Sequence, residues 1–454
     1  MTDFGGATGR RIAQRAFDLA TRLGIEDLEV ALVETVSTRV SVADGRLESL
    51  EERQEAGIGL RVFHRQRTGF AFTADPGDEA LERALATARD LAELGEPEEA
   101  NRAPDPLPLP ETLPPNEDPA LATFPVARKI ALAREVELAA RAAYPEVDRI
   151  RRASYQDARG VQRIVSTRGV DAAEGWTRAW LSIEAAARRG NDQRVGWWSD
   201  WALGPGPLDP ERVGRTGAAR AVELLGARPG PTGRLPIVLP PEETAALLSA
   251  LGDAFSGLKA LRHRTLLEGR EGQRIGSPRV TLVDDGTLPG TWGTGAIDGE
   301  GLPTRRNVLV EEGVFRGFLH DSYTARHFGL EPTGNSLRGG YAAPPTIGAH
   351  ALHLLPTGPA RTELLARAEG GILVSELMGL HTVNTVTGDF SLGAAGRRIG
   401  PGGEPGEPLD RMAISGSILD LFSAVEAVAD DLQFFIGGAG GATVLLGEMA
   451  VSGS

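Results

Sequence analysis

Two hydrophobic periods alternate along the first 95 residues of the chain. In residues 10–23 the apolar side chains recur every three or four positions, which predicts an amphipathic helix that ends near Gly24. Between Leu28 and Asp75 the period falls to two, as is typical of strands, and Asp44-Gly45 predicts a hairpin turn. The helical period returns at residues 78–94. The segment therefore predicts a helix, a set of strands and a second helix.

The same order of periods recurs farther along the chain. Residues 124–144 have the spacing of a long amphipathic helix, residues 148–203 are rich in strand patterns, and residues 210–227 are helical again. Four strands are predicted in the middle part, with joints at or near three glycine positions: Gly160, Gly169 and Gly190-Asn191. Because helix, antiparallel strands and helix occur twice, the pattern favours two α+β units over a Rossmann-type array.

A proline-rich stretch separates these two units. Residues 96–120 contain eight prolines in 25 positions. This composition is typical of an extended, semi-rigid linker or of a segment that crosses the surface. A ligand segment for an SH3-type domain is the weaker alternative.

The last part of the chain begins after a Pro-Gly-Pro break at residues 229–231 and is rich in glycine. Its pattern predicts a strand followed by a helix that opens with Pro240-Pro241. A hairpin is predicted around Glu312-Gly313, a further helix within Ile414–Asp430, and a short buried strand at Ala442–Leu446.

These patterns predict an α+β fold in which antiparallel sheets are flanked by helices. The predicted boundaries are an N-terminal α+β domain at 1–95, a linker at 96–120, a central helix-meander-helix domain at 121–228 and a larger, glycine-rich α+β domain at 233–454.

Composition narrows the classes of protein that the chain can belong to. It has 454 residues, 41% of them hydrophobic, a net charge of −14 and no cysteine. An acidic chain is a poor nucleic-acid binder, because phosphate contacts need clustered Lys and Arg. Without cysteine, disulfides, thiolate metal ligands and thiol nucleophiles are excluded. The N-terminus has no signal-peptide pattern and no run of 18 apolar residues occurs, so we expect a cytoplasmic protein without membrane contact.

Common catalytic motifs are missing from the sequence. There is no G-x-S-x-G nucleophile elbow and no phosphate-binding G-x-x-x-x-G-K-[ST] loop. Gly293-Thr294-Gly295 lacks the third glycine and the strand-to-helix context of a dinucleotide site. No histidine is followed by glutamate, so H-E-x-x-H and its variants are absent. We expect the seven histidines to be structural or solvated: His64, His263, His320, His327, His350, His353 and His381.

The tryptophan-rich run WWSDW lies in a predicted strand. Alternation along the strand puts Trp197 and Trp201 on one face and Trp198 on the other. Packing in a core or an interface is the simpler interpretation, and a stacking platform for bases or sugars is the alternative.

Four separated runs resemble one protein family. They are Asp44–Asp75, Pro303–Asn335, Ser375–Gly396 and the ending GGATVLLGEMAVSG. All four resemble the TldD/PmbA proteins, and they follow the same order over nearly the whole chain.

The resemblance implies a two-protein system. TldD-type members carry zinc on an H-E-x-x-x-H helix, TldE-type members, also called PmbA, lack it, and the two form a heterodimer that acts as a metallopeptidase on unfolded or extended peptides. The family also bears the label "modulator of DNA gyrase". The chain resembles the TldE type, so we expect a non-catalytic subunit with zinc in a TldD-like partner, and a possible homodimer in isolation. A stand-alone peptide-binding or regulatory protein is the alternative.

The resemblance also places the degenerate zinc helix in residues 242–257. Ser249 and Ala250 stand where the first His and the Glu would be, and Ala254 stands where the second His would be. None of them can bind zinc or act as a base. The C-terminal cysteine of the zinc-bearing relatives has no counterpart, so no catalytic residue and no metal ligand is carried over.

The run Ser375–Gly396, with Glu376, His381 and Asp389, is interpreted as the frame of a site whose metal ligands belong to another chain. A strand relieved by glycine can take up another backbone at its edge. Asp389 as a simple turn residue is the plainer alternative, and His381 is given no role. An unrecognised hydrolase site around Asp321, Ser322 and Asp389 is a further alternative. The candidate residues of a peptide groove are Gly388, Asp389, Ser391, Gly393, Thr333, Gly334 and Asn335.

Overall fold

A computed structural model describes residues 3–112 and 114–453 of the chain. The helices in these ranges are α1 (Ala7–Arg22), α2 (Asp78–Ala92), α3 (Val126–Ala143), α4 (Pro210–Glu223), α5 (Pro241–Leu251), α6 (Gly257–Leu261), α7 (Ser322–Phe328), α8 (Arg361–Arg367) and α9 (Ile418–Ala424). None of these described helices combines the length and the apolar character needed to cross a membrane.

The longest strands lie before the last part of the chain, where most strands are short. They are β1 (Asp27–Ala43), β2 (Arg46–His64), β3 (Arg67–Thr73), β4 (Val147–Ser166), β5 (Asp171–Arg189), β6 (Asp192–Ala202), β7 (Arg228–Pro229), β8 (Gly233–Leu239), β9 (Leu282–Asp285), β10 (Arg306–Glu311), β11 (Val314–Phe315), β12 (Ser336–Leu337), β13 (Thr346–Ile347), β14 (Leu352–Leu354), β15 (Ile372–Met378), β16 (Asp389–Ile399), β17 (Pro405–Ser417), β18 (Val425–Val428), β19 (Gln433–Phe434), β20 (Gly440–Gly441) and β21 (Val444–Gly453).

The first two predicted units share one antiparallel sheet in the order β3-β2-β1-β4-β5-β6. The joint is the long pairing of β1 with β4. On β1, Leu28, Val30 and Leu32 pack with α1 and α2, whereas Val40 and Val42 pack with α3. These positions are an even number of residues apart, so both pairs of helices cover the same face of the sheet. The opposite face is left for the last part of the chain.

That last part is built on a closed ring of strands. β21 pairs with β8 on one side and with β17 on the other, which closes the order β8-β15-β16-β17-β21. A small sheet, β11-β10-β9-β14, packs beside the ring over a large apolar core that includes Phe255, Phe315 and Phe422. The α+β fold with antiparallel sheets flanked by helices is confirmed, and the domain boundaries stay a prediction.

Two predicted elements are corrected and one is confirmed. Gly160 is not a joint, because β4 runs through it without a break; an added Cβ would lie 2.7 Å from the indole of Trp176, so glycine there admits a ring. The short strand expected at Ala442–Leu446 begins two residues later and is longer, since β21 runs from Val444 to Gly453. The helix predicted within Ile414–Asp430 is present as α9, between β17 and β18.

The proline-rich stretch crosses the surface and is tied to α7. The guanidinium of Arg326 donates hydrogen bonds to the carbonyl oxygens of Ala100, Arg102 and Ala103 at 2.8–3.0 Å. The hydroxyl of Tyr323 donates to the Glu98 carboxylate. These bonds anchor the crossing on the last part of the chain.

A buried group of four charges joins the six-stranded sheet to the last part of the chain. Arg61 Nη2 lies 2.5 Å from Glu29 Oε2 and 2.6 Å from Glu300 Oε1, and Arg338 Nη2 lies 2.6 Å from Glu29 Oε1. Burial by itself would raise the pKa of Glu300, but the charge and hydrogen bond of Arg61 hold that pKa below its ordinary value. Two carboxylates and two guanidinium groups therefore balance each other at this contact.

Candidate functional site

Helix α5 begins at residues that favour the start of a helix. Pro241 occupies the first helical turn, and Glu242 and Glu243 follow it, where acidic groups complement the helix dipole. Burial raises the pKa of Glu243 to about 7, although its carboxylate accepts a hydrogen bond from Leu377 N at 2.9 Å. Arg220 of α4 forms an ion pair with Glu242. The start of α5 is thus fixed to the six-stranded sheet unit and to β15.

The three residues predicted to stand at degenerate zinc-helix positions lie in different surroundings. Ser249 is exposed, Ala250 is half-buried, and Ala254 is completely buried in the apolar core. Ala254 lies in a 3-10 turn, Gly252–Phe255, that follows α5. A hydroxyl and two methyl groups do not fit the donor set of zinc, which takes thiolate, imidazole or carboxylate ligands. Among the described residues, no group of three His, Cys, Asp or Glu side chains is placed to hold a metal ion.

A cavity of about 150 Å³ lies beside the C-terminal half of α5. Ser249 of α5, Asp253 of the 3-10 turn that follows it and Ser256 directly after that turn line one side of the cavity. The rest of the lining is small or aliphatic: Gly252, Leu319, Ile347, Gly348, Ala349, Leu352, Gly437 and Ala439.

A larger cleft of about 460 Å³ adjoins this cavity. One wall is β5, where Glu174, Trp176 and Arg178 alternate onto a single face of the strand. The other wall is made of the chain segments at 292–299 and 336–339. Ala349 and Gly437 line both spaces, so the cavity and the cleft lie next to each other.

Two charged residues of β5 hold the opposite wall in place. Glu174 accepts hydrogen bonds from Ala296 N at 2.8 Å and Asn116 Nδ2 at 3.0 Å, and its burial raises the pKa of its carboxyl. Arg178 donates to Trp292 O at 2.7 Å, and burial lowers the pKa of its guanidinium to about 10. Glu174 accepts hydrogen bonds from backbone N–H groups of the opposite wall, and Arg178 donates to its backbone carbonyl oxygens. Together the two side chains fix the position of that wall.

Three tryptophan rings pack around Arg178. Trp292 meets Trp180 and Trp201 edge to face, with ring centroids 5.6 and 5.4 Å apart, and Arg178 lies 5.9 Å from the Trp292 ring. Trp198 points the other way and meets Phe435. Trp198 and Trp201 thus lie at contacts between the six-stranded sheet and the last part of the chain.

The predicted groove residues Thr333, Gly334 and Asn335 lie behind the cleft wall. Asn335 is fully buried and donates to Asp284 Oδ2 at 2.6 Å, and burial raises the pKa of Asp284. The carbonyl oxygen of Gly334 lies 2.8 Å from His350 Nε2, and Thr333 exchanges hydrogen bonds with the backbone of residue 320. These residues support the wall from within.

The other predicted groove residues lie on β16 or directly before it, apart from the first set. Asp389 and Ser391 are exposed, and they pair with Ser417 and Ser415 of β17. Gly393 pairs with β15 and β17, so it is inside the sheet. Gly388 has φ +88 and packs beside Leu266. Neither cavity nor cleft is lined by these four residues.

The remaining acidic and histidine candidates are not assembled into one site. Ser322 donates from its hydroxyl to Glu300 at 2.8 Å, and Asp321 caps α7 through Thr324 N at 2.8 Å. Asp389 has no contact with either in the described part of the chain. His381 is exposed in the short 3-10 helix Leu380–Thr382, which packs against α5.

The sequence-based search missed the residues that form the cleft: Glu174, Trp176, Arg178, Trp292 and His350. One signal was present, since charged and aromatic side chains occupy every second position along Glu174–Trp180, with smaller residues between them. The opposite wall contains Gly293-Thr294-Gly295, where a Cβ on Gly293 would lie 1.9 Å from His350 O. These glycines serve close backbone packing.

Known proteins resemble this chain over almost its whole length. A metalloprotease of Methanothermobacter thermautotrophicus is 30% identical over 95% of this chain and 94% of its own. The metalloprotease PmbA of Escherichia coli is 27% identical over 98% of this chain and 97% of its own.

Solved structures share the fold. A Thermotoga maritima protein described as a candidate modulator of a DNA gyrase superposes with a TM-score of 0.89 at 25% identity, covering 98% of this chain and 100% of its own. TldE from Thermococcus kodakarensis gives a TM-score of 0.86 at 23% identity over 96% and 100% of the two chains. At that identity the TldE match shows the fold alone.

Family models cover most of the chain. They are described as PmbA/TldA metallopeptidase domain 1 at residues 28–92, the central domain at 119–225 and the C-terminal domain at 232–453. Together with the full-length relatives, they establish that the chain belongs to the PmbA/TldD metallopeptidase family.

Proposed function

We propose that the chain is a TldE-type subunit of a metallopeptidase complex that acts on unfolded or extended peptides, and that it does not cleave them alone. A zinc-bearing homologue of the TldD type would be its heterodimer partner. The observation that supports this proposal is that the degenerate zinc-helix positions carry no metal ligand although α5 lies next to open space. Ser249, Ala250 and Ala254 offer neither zinc ligands nor a general base, yet a cavity lies beside the helix and a cleft adjoins that cavity.

In this proposal the chain contributes enclosure to the peptide channel of its partner. A peptide that lies in an extended conformation presents alternate side chains to two sides. The cleft is lined by several glycines, which allow the close approach of a second backbone.

The test is zinc content and peptidase activity on an unstructured substrate, for the chain alone and mixed with its H-E-x-x-x-H homologue. We expect no zinc and no cleavage from the chain alone, and cleavage in the mixture. Stoichiometric zinc and chelator-sensitive cleavage by the chain alone would refute the proposal.

A second candidate is a stand-alone peptide-binding or regulatory protein. The likeness to the Thermotoga maritima protein described as a candidate gyrase modulator favours it. A gyrase supercoiling assay separates the two candidates, since only a regulator of that kind changes supercoiling when the chain is added without any homologue. Sizing of the isolated chain tests whether it forms a homodimer, which would use the same surface on both copies.

A further inference from the structure

We propose that the cavity beside α5 is a pocket for one side chain of a bound peptide, and that it makes the chain selective among peptides. The proposal rests on the proposed function for the kind of ligand. It adds which part of the chain reads the peptide and which side chains it accepts.

The size of the cavity sets the size of the side chain. Its volume is about 150 Å³, and a protein cavity of that size holds a benzene ring. Leucine and phenylalanine side chains therefore fit, whereas an indole is too large. One side chain fills the space, so the pocket reads one position of the peptide.

The wall opposite α5 favours apolar side chains. Leu319, Ile347 and Leu352 contribute aliphatic surface, and all three also pack on the apolar core of the last part of the chain. Burying an aliphatic or aromatic side chain against such surface removes it from water, which is the main source of affinity in small apolar sites.

The helix side of the cavity discriminates by charge. The carboxylate of Asp253 lines it between two hydroxyl residues, Ser249 and Ser256. Lys259 Nζ lies 3.1 Å from Asp253 and offsets part of this charge, but both side chains are partly exposed, so the pair is weak. An acidic side chain in the cavity would face this carboxylate and be repelled.

The cavity borders the cleft, where the main chain of the peptide would lie. Ala349 and Gly437 line both spaces, and a Cβ at Gly437 would meet no atom within 4 Å. Because the residues at this border are small, a side chain has little to cross between a main chain in the cleft and the cavity.

Binding of labelled peptides to the full chain tests the pocket. The probes are fluorescein-labelled peptides of glycine and serine with one variable residue: Gly, Leu, Phe, Trp or Glu. We expect Leu and Phe to bind about tenfold or more tightly than Gly, and Trp and Glu to gain nothing over Gly. Ser249→Trp fills the cavity, so it should remove the preference for Leu and Phe.

Two further variants make the result interpretable. Thr362→Trp adds the same ring at an exposed position of α8, outside both spaces, and should keep the preference. Asp253→Asn should strengthen binding of the Glu peptide and leave the Leu peptide unchanged, and it applies even if Ser249→Trp does not fold. Equal affinity for all five peptides, a preference that survives Ser249→Trp, or no binding of any peptide would overturn the proposal.

The pocket and the proposed function can fail separately. If the isolated chain shows the preference but its mixture with the zinc-bearing homologue cleaves nothing, the pocket stands and the complex does not. If the mixture cleaves Leu and Gly peptides equally with wild type and with Ser249→Trp, the complex stands and the pocket does not.

Discussion

Replacing Arg61 by methionine would leave Glu300 buried without the cation that contacts it. In the folded chain Arg61 Nη2 lies 2.6 Å from Glu300 Oε1, and the Glu300 side chain is fully buried. Glu29 would keep its partner Arg338. Glu300 would keep only the backbone and hydroxyl donors of Ser322, at 2.9 and 2.8 Å. The loss of the Arg61 ion pair therefore affects mainly Glu300.

The expected cost is about 3–5 kcal/mol of unfolding free energy, because removing one partner strands a buried charge. It should depend on pH. In the wild type the pKa of Glu300 is below its ordinary value, so the stability that its charge contributes is present at neutral pH. In the variant, burial without Arg61 raises that pKa, and protonation relieves the stranded charge as pH falls. The cost should be larger at pH 8 than at pH 5.

Urea denaturation followed by tryptophan fluorescence at the two pH values measures this cost. The control is Arg53→Met on the same strand, β2, where the ion pair with Glu55 is exposed and should be worth less than about 1 kcal/mol. Adding Glu300→Gln to Arg61→Met should recover part of the loss at pH 8. A cost below about 1 kcal/mol, or a cost that grows as pH falls, would refute the reasoning.

Three other variants test the site. Burial raises the pKa of Glu243 from 4.5 to about 7, so the folded chain holds a proton that the unfolded chain has lost, and wild-type stability falls as pH rises across that window. The free energy of unfolding of Glu243→Gln, relative to that of wild type, should therefore rise by about 1–3 kcal/mol between pH 4.5 and 8. The same pH dependence for both proteins in urea denaturation would contradict this. Gly293→Ala should cost about 1–3 kcal/mol in thermal denaturation, because its Cβ would lie 1.9 Å from His350 O, whereas Gly206→Ala, with open space, should be neutral. Asp321→Ala should cost about 1 kcal/mol by removing the α7 cap, and equal melting of the Ala and Asn variants would argue against the cap.

Local pattern determined much of the fold. Periods of 3.6 and 2 predicted α1 to α4 closely and the region that holds β1 to β3, and the Asp44-Gly45 turn has positive φ at both residues, 49 and 70, as a tight hairpin requires. The four family-like runs indicated the PmbA/TldD family, which the comparisons confirm. The helix that bears Ser249 was also predicted from its prolines and spacing.

Tertiary structure alone decided the joining of the first two units and the position of the cleft. Periodicity states which face of a strand is buried and not which element buries it, so the β1–β4 pairing could not be predicted from the sequence. The partners of Glu174 and Arg178 across the cleft are 122 and 114 residues away along the chain. Residues so far apart along the chain show no local spacing in the sequence, because the segment between them can fold in many ways before they come into contact. The sequence by itself determined the elements and the family, and the packing of distant segments determined the cavity and the cleft.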